Sequence, residues 1–384
     1  MSNGRPVRAR DLGIPLDGEP GEWNAITDVP GLEVGYTTIV EDSPVVARTG
    51  VTAILPRGKG APSAPCAAGI AVLNGNGELT GRSWIEEAGQ FQTPVAITNS
   101  HAVGAVHRGI DRWLAEHDPL AAAAWILPVV GETWDGYLNS INAETVLPEH
   151  AVAALDNAVT GPITEGNVGG GTGMNCYGFK GGTGSASRLV RSGGRTWTVG
   201  VLMQANFGSR KELRVLGRPL GPESRAPSPI ETTDWFEREA GVGARAARGG
   251  GSVIGIVATD APLLPDQCRA LARRVGLGLA RTGTTGSHFS GDIFLAFSTA
   301  DATSLKSRME NREVTVGQLE HLTWDSMEEA VLNALVGARD MAGRDGHVSY
   351  ALPHEEIRNA FTEPEPPAGL EPATCGLQGR CSTR

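Results

Sequence analysis

Three glycines and a serine, Gly249-Gly-Gly-Ser252, stand where a polar stretch gives way to the apolar run Val253-Ile-Gly-Ile-Val257. In this setting the Ser252 hydroxyl can attack the carbonyl of Gly251, because a residue without a Cβ lets the peptide take the exposed, strained geometry that attack needs. The N→O shift gives an ester, and its hydrolysis leaves Ser252 as a new amino terminus. A serine hydroxyl is a weak nucleophile without a base. The freed α-amine, with a reference pKa of about 7.7–8.0, supplies one without any histidine. Downstream, Ser290-Gly-Asp292 opens a second apolar run. In an extended chain these two side chains leave the same face, where a hydroxyl and a carboxylate can orient the amine and Ser252 through a short relay. Both stretches also have a plainer reading: a flexible linker that ends at a strand, and polar turn residues that lead into another.

Other chemistries fail at the level of residues. Gly169-Gly-Gly-Thr-Gly173-Met174 breaks the dinucleotide fingerprint where its third glycine belongs, and no phosphate-cradling G-x-x-x-x-G-K-[ST] exists. G-x-S-x-G, S-x-x-K and H-E-x-x-H are absent. His101 and His107 flank a helical pattern and His354 lies in a polar stretch, so all three read as structural or surface groups. His288, beside Ser287 and near Ser290, leaves a Ser-His-Asp triad as the competing assignment of the base. The five cysteines form no C-x-x-C pair and have no histidine at metal spacing, so neither a disulfide framework nor a metal site is expected, and no cofactor.

Composition narrows the partners. A net charge of −10 offers no basic footprint for nucleic acid or an anionic membrane. The longest apolar run, residues 120–130, is short of the ~20 residues a membrane helix needs, and the basic N-terminus has no apolar stretch behind it to make a secretory signal. A cytoplasmic protein with reduced thiols is expected. Glycine, 52 of 384 residues, is about twice its usual share of roughly 7% and marks tight turns and close backbone approaches.

The candidate residues need strands to hold them. Apolar runs at 51–55, 69–73, 95–98, 125–130, 196–204, 252–259 and 291–298 read as strands. Val103, Val106, Ile110, Trp113 and Leu114 make one amphipathic helix over 101–117, and further helices are expected at 265–280 and 325–341. Residues 161–184 are a turn-rich glycine region of closely packed loops. Residues 208–251, with four prolines and many charges, read as a long surface connection, and the stretch 362–384 as a disordered tail. Mixed strands and helices predict an α/β layered architecture, without settling the sheet topology.

Gly166-Asn-Val-Gly-Gly-Gly-Thr-Gly-Met174, Val201-Leu-Met-Gln-Ala-Asn206-Phe-Gly208, Gly249-Gly-Gly-Ser252-Val-Ile and Ser287-His-Phe-Ser290-Gly-Asp292 occur in this order. Together with Arg10-Asp-Leu-Gly-Ile-Pro and Gly131-Glu-Thr-Trp-Asp-Gly136, they resemble the DmpA/BapA family of L-aminopeptidase/D-amidase-esterases and β-peptidyl aminopeptidases. The resemblance runs from about Arg10 to Pro353; Pro366–Arg384 has no counterpart. It implies a four-layer αββα sandwich, similar to the N-terminal-nucleophile hydrolases but with different strand connectivity. It also implies one catalytic domain over 1–361, self-cleavage into an α chain (1–251) and a β chain (252–384), and assembly of αβ pairs into a tetramer.

Carried over by residue, Ser252 matches the nucleophile and Gly251 the residue before the cut. Ser290 matches the second serine, Asp292 the acid of the relay, and Asn206 the oxyanion-hole amide. Glu132 matches the carboxylate that binds a substrate's free amino group, while Trp125 and Trp134 fall at aromatic pocket walls. The implied substrates are small peptides, amides or esters with a free amino terminus, of L-α-, D- or β-amino acids. Two rivals remain: an acyltransferase like ornithine acetyltransferase, which uses threonine where this chain has Ser252, and an uncleaved scaffold with a glycine linker.

Overall fold

The computed structural model describes residues 6–240, 251–300 and 313–361. Two β-sheets stack face to face. One has the order β1 (Glu33–Glu41), β2 (Ala47–Leu55), β5 (Val95–Asn99), β6 (Val129–Thr133). The other runs β4 (Gln90–Phe91), β3 (Cys66–Gly75), β12 (Ser290–Ser298), β11 (Gly251–Thr259), β10 (Arg195–Asn206), β9 (Gly182–Ser192). Strands β2, β5 and β12 are buried at every position, as strands covered on both faces must be.

The layers follow from side-chain alternation along β11. Ile254, Ile256 and Ala258 pack with Ile54, Val95, Ile97 and Val129 of the facing sheet, while Val253 and Val257 turn outward. There they meet α8 (Pro265–Arg281), through Leu271, Ala272 and Val275, and α9 (Val316–Gly337), through Met327, Val331 and Leu335. On the other outer face, Val106, Ile110, Trp113 and Leu114 of α2 (Val103–His117) and Ala151, Ala154 and Leu155 of α4 (Pro148–Asp156) cover β2 and β5. The result is the αββα sandwich. Strands β11 and β12 are parallel neighbours, and α8 supplies the crossover such a pair requires.

The glycine region has a packing reason. A 3₁₀ turn at Gly169–Gly171 is wedged between the sheets, where a Cβ on Gly170 would lie 2.2 Å from Gln204 Oε1 and 2.6 Å from the Ile97 carbonyl oxygen.

Four expectations need correction. The strand expected at 125–130 begins only at Val129; Pro128 has no N–H for a ladder, and Trp125 sits in a left-handed turn (φ +66°), 86% exposed. The helix expected at 325–341 spans Val316–Gly337, because the same buried stripe extends back through Leu322 and Leu319 and the chain turns extended at Ala338. Strands β1 and β9 and helix α4 lie outside the runs that read as elements; β1 mixes threonines with apolar residues and is buried at only some positions. Residues 208–240 are no loose connection. They form the short helices α5 (Leu220–Glu223), α6 (Pro229–Thr232) and α7 (Trp235–Ala240) and bury Leu213, Val215, Leu220 and Trp235. Residues 241–250 and the tail 362–384 lie outside the described residues.

A buried ion network ties the N-terminal segment to α9. Glu329 accepts Arg188 at 2.7 Å and Asn24 Nδ2 at 2.6 Å, and Arg10 pairs with it at 3.0 Å. Burial pushes its carboxyl up, but Arg188, Arg10 and Asn24 together hold it below the usual range. Glu329→Ala leaves the Arg188 guanidinium buried and unpaired, so an equilibrium urea titration should show a loss of about 3–5 kcal/mol. A loss under about 1 kcal/mol would refute the network's role.

Candidate active site

Strand β11 carries Ser252 into the middle of its sheet, opposite Asn206 at the end of β10 and Gly291 on β12. Ser252 shares the parity of Ile254 and Ile256, so its side chain faces the other sheet. Trp134, the residue after β6, donates its N–H to Ser252 Oγ at 3.2 Å. Asn206 Nδ2 donates to the same oxygen at 3.4 Å and to the Trp134 carbonyl at 2.8 Å, while Asn206 Oδ1 accepts the Asn175 N–H at 3.0 Å. Two N–H donors, one from each sheet's strand end, thus converge on one buried hydroxyl. It borders a cavity of about 1510 Å³.

Ser290 and Asp292 flank this point on β12, opposite Gly251 and Val253. Ser290 Oγ donates to Asp292 Oδ1 at 2.6 Å, so the expected shared face is realised. Asn74 Nδ2 donates to Asp292 Oδ2 at 2.7 Å. The β12–β3 ladder slips by one residue between Asp292↔Asn74 and Ile293↔Val72, and this bulge at Leu73 sets Asn74 opposite the acid. Burial raises the Asp292 carboxyl above its ordinary range, while hydrogen bonds from Ser290, Asn74 and the Val253 backbone work the other way. Ser290 does not bond the Ser252 hydroxyl in this uncut chain; its proton goes to Asp292.

Glu132 lies on β6 and reaches the same cavity. Its Oε1 accepts the Glu78 N–H at 2.9 Å and its Oε2 accepts the Ser100 hydroxyl. Burial lifts its carboxyl above the ordinary value, opposed by those two bonds. Trp134 lines the cavity beside Tyr137, Trp235 and Phe236; its ring stacks on Trp235 at 6.1 Å, and Trp235 meets Tyr137 edge-on at 4.9 Å. The structure does not bring Trp125 here: it is outside the cavity lining and projects from the turn before β6. His288 is exposed and also outside the lining, although its neighbours Ser287 and Phe289 belong to it.

Several participants escaped sequence reasoning. Asn74 stands 218 residues from the acid it bonds; its only local mark is the turn signal Asn74-Gly-Asn-Gly77. Trp134 contributes a backbone N–H as well as a ring, and no side-chain pattern reports where an N–H points. Trp235 sits in the segment read as a surface connection. Among the described residues no group of three or more His, Cys, Asp or Glu is placed to hold a metal ion, and no helix is long and apolar enough to cross a membrane.

Comparison with known proteins gives the arrangement its family. The chain is 47% identical over 365 residues to "Beta-peptidyl aminopeptidase BapA" of Sphingosinicella microcystinivorans, with 91% of each chain covered. Its fold is similar to the L-aminopeptidase D-Ala-esterase/amidase of Ochrobactrum anthropi, described as a new variant among the Ntn-hydrolase fold. There the TM-score is 0.83 at 43% identity, covering 93% of this chain and 98% of that one. A Burkholderia sp. beta-aminopeptidase aligns with a TM-score of 0.79 at 44% identity, covering 92% and 98%. The family model for "Peptidase family S58" matches residues 24–349. A fold, a buried serine hydroxyl and relatives that cover about nine-tenths of the chain converge on one statement: the chain belongs to peptidase family S58 and is a hydrolase of the aminopeptidase type.

Proposed function

We propose that this chain cuts itself between Gly251 and Ser252 and then works as a serine aminopeptidase, amidase and esterase through an acyl-enzyme on Ser252. The observation that supports this most is the convergence of the Trp134 N–H and Asn206 Nδ2 on the Ser252 hydroxyl, in a cavity that also holds Glu132. In the first step Ser252 Oγ attacks the substrate carbonyl and its proton passes to the α-amine of Ser252. The carbonyl oxygen becomes an anion that takes up the two N–H donors, each worth roughly 3–4 kcal/mol in such a role. Collapse expels the amine or alcohol, which leaves with the proton. Water then attacks the ester by the same route, releasing the acid and restoring the hydroxyl.

Glu132 pairs with the substrate's ammonium, so the substrate is a small peptide, amide or ester with a free amino terminus, its first residue an L-α-, D- or β-amino acid. Because β11 lies between β10 and β12, a cut at its start leaves the two chains laced into one sheet. The resulting αβ pair is the working unit; pairs join as a tetramer in the cytoplasm. Exposed Leu120, Trp125 and Leu127, at 85%, 86% and 46%, support an apolar contact between copies.

Glu132→Gln tests the recognition half. It keeps the shape and removes the charge, so self-cleavage should survive while kcat/KM for free-amine p-nitroanilides falls roughly 10- to 100-fold, the worth of a charged hydrogen bond. Since burial raises the Glu132 pKa, its carboxylate is lost at a higher pH than an exposed glutamate's. Wild-type KM should therefore climb as the pH falls into the mildly acidic range. Equal hydrolysis of N-acetylated and free-amine substrates would overturn the assignment.

A further inference from the structure

Lys180 and Asp135 are buried, ionisable and outside the cavity lining, so neither touches a substrate. Lys180 Nζ donates to the carbonyl oxygens of Met174 at 2.6 Å, Gly181 at 2.9 Å and Gly171 at 3.5 Å. Three acceptors match the three protons of an ammonium; a neutral amine has two. Burial lowers the Lys180 ammonium to about 7, with Asp135 the main group opposing the shift. Burial likewise raises Asp135 to about 7, against hydrogen bonds from Thr49 and Asn139 and the charge of Lys180. The charge of each group favours the ionised form of the other, against the burial that both share.

The carbonyls that Lys180 gathers bracket a small hairpin, β7 (Asn175–Cys176) and β8 (Phe179–Lys180), in which Asn175 pairs with Lys180 itself. Tyr177 and Gly178 close it with φ of +53° and +66°, and the Tyr177 hydroxyl anchors the turn to Thr282 at 2.6 Å. The hairpin begins with Asn175, whose N–H is bound to Asn206 Oδ1. With Oδ1 occupied, the Asn206 amide is fixed with Nδ2 toward Ser252.

Asp135 acts on the other donor. It follows Trp134 directly, and its carbonyl accepts the N–H groups of Leu138 at 3.1 Å and Asn139 at 3.0 Å. Its Oδ1 accepts Asn139 Nδ2 at 3.0 Å. These bonds turn the chain immediately after Trp134, with the Trp134 N–H aimed at Ser252 Oγ. The ammonium and carboxylate thus sit behind the two donors, one on each arm.

We propose that Lys180 and Asp135 are positioning residues that hold the Asn206 amide and the Trp134 N–H in register as an oxyanion hole; this rests on reading Ser252 as the nucleophile. The test uses Lys180→Met, which keeps length and removes the cation, and Asp135→Asn, which keeps shape and removes the anion. With a free-amine p-nitroanilide, both should fold and show kcat lowered about 100-fold, near the cost of one lost oxyanion donor, with KM within threefold of wild type. The same donors hold Ser252 Oγ in the uncut chain, so uncut protein should also accumulate. An amino-boronic acid that forms a tetrahedral anion on a serine should bind the cleaved variants more weakly by a similar factor, while the product amino acid binds unchanged. Wild-type kcat in either folded variant, or a change confined to KM, overturns the proposal. Failure of both variants to fold overturns it too, by placing the pair in the stability of the core. Intact-mass detection of an acyl group on wild-type Ser252 after a p-nitrophenyl ester pulse keeps the two ideas apart. Its absence sinks the nucleophile, whereas its presence beside unaltered variants sinks only the positioning role.

Discussion

Ser252→Ala should purify as one uncut chain with no measurable turnover, while the wild type resolves into fragments of residues 1–251 and 252–384. Alanine has no oxygen to begin the acyl shift at Gly251, so the α-amine that would serve as base is never released. A single methyl-for-hydroxymethyl change therefore removes nucleophile and base together. Loss of a nucleophile that acts as one unit with its base costs on the order of 10⁴–10⁶ in kcat, and here the two losses are not separable by this variant. The fold should persist, because Ser252 Oγ only accepts bonds from Trp134 and Asn206, and the Asn206 amide keeps its stronger bond to the Trp134 carbonyl. Intact-mass measurement and N-terminal sequencing read the result. An active wild-type preparation with only Met1 or Ser2 as its terminus would refute self-cleavage.

What the sequence made legible was the chemistry that lies along single strands. The spacing of Ser290 and Asp292 places both on one face of β12, and they meet at 2.6 Å. Ser252 stands at the start of β11, just after Gly251, as the run of apolar residues after it requires. What stayed hidden lies between strands. Asn74 reaches Asp292 through a register slip that only the folded ladder contains. The Trp134 N–H takes its direction from the turn that follows Asp135. Trp125 misled because an apolar run says nothing about where the chain bends; Pro128 and a left-handed turn leave that ring outside. Residues 208–240 misled in the opposite sense. Their prolines start short helices, Pro229 in α6 among them, and Trp235 is buried against Trp134 and Tyr137. Composition reports the mean polarity of such a segment, whereas a few buried apolar residues, Leu213, Val215, Leu220 and Trp235, dock it.

The second large effect separates the α-amine from the histidine as base. His288→Ala should retain most of the wild-type kcat, since the ring is exposed and outside the cavity lining. Ser290→Ala and Asp292→Asn should lose roughly 10²–10⁴, the range for a positioned proton-transfer partner. Both hold the strand edge beside the Gly251–Ser252 peptide, where the amine appears after the cut. The pH profile carries the sign. Only the deprotonated amine is a base, so activity should rise with pH through the region of its free value, about 7.7–8.0. Burial of the ammonium moves that midpoint down and a neighbouring carboxylate moves it up. Asp292 is itself raised by burial and held by Ser290 and Asn74. Its replacement by asparagine deletes the upward influence, so the residual activity of Asp292→Asn should reach its plateau at a lower pH than the wild type. A shift to higher pH would contradict an amine stabilised by Asp292. A folded, cleaved His288→Ala enzyme with negligible turnover would return the base to the imidazole.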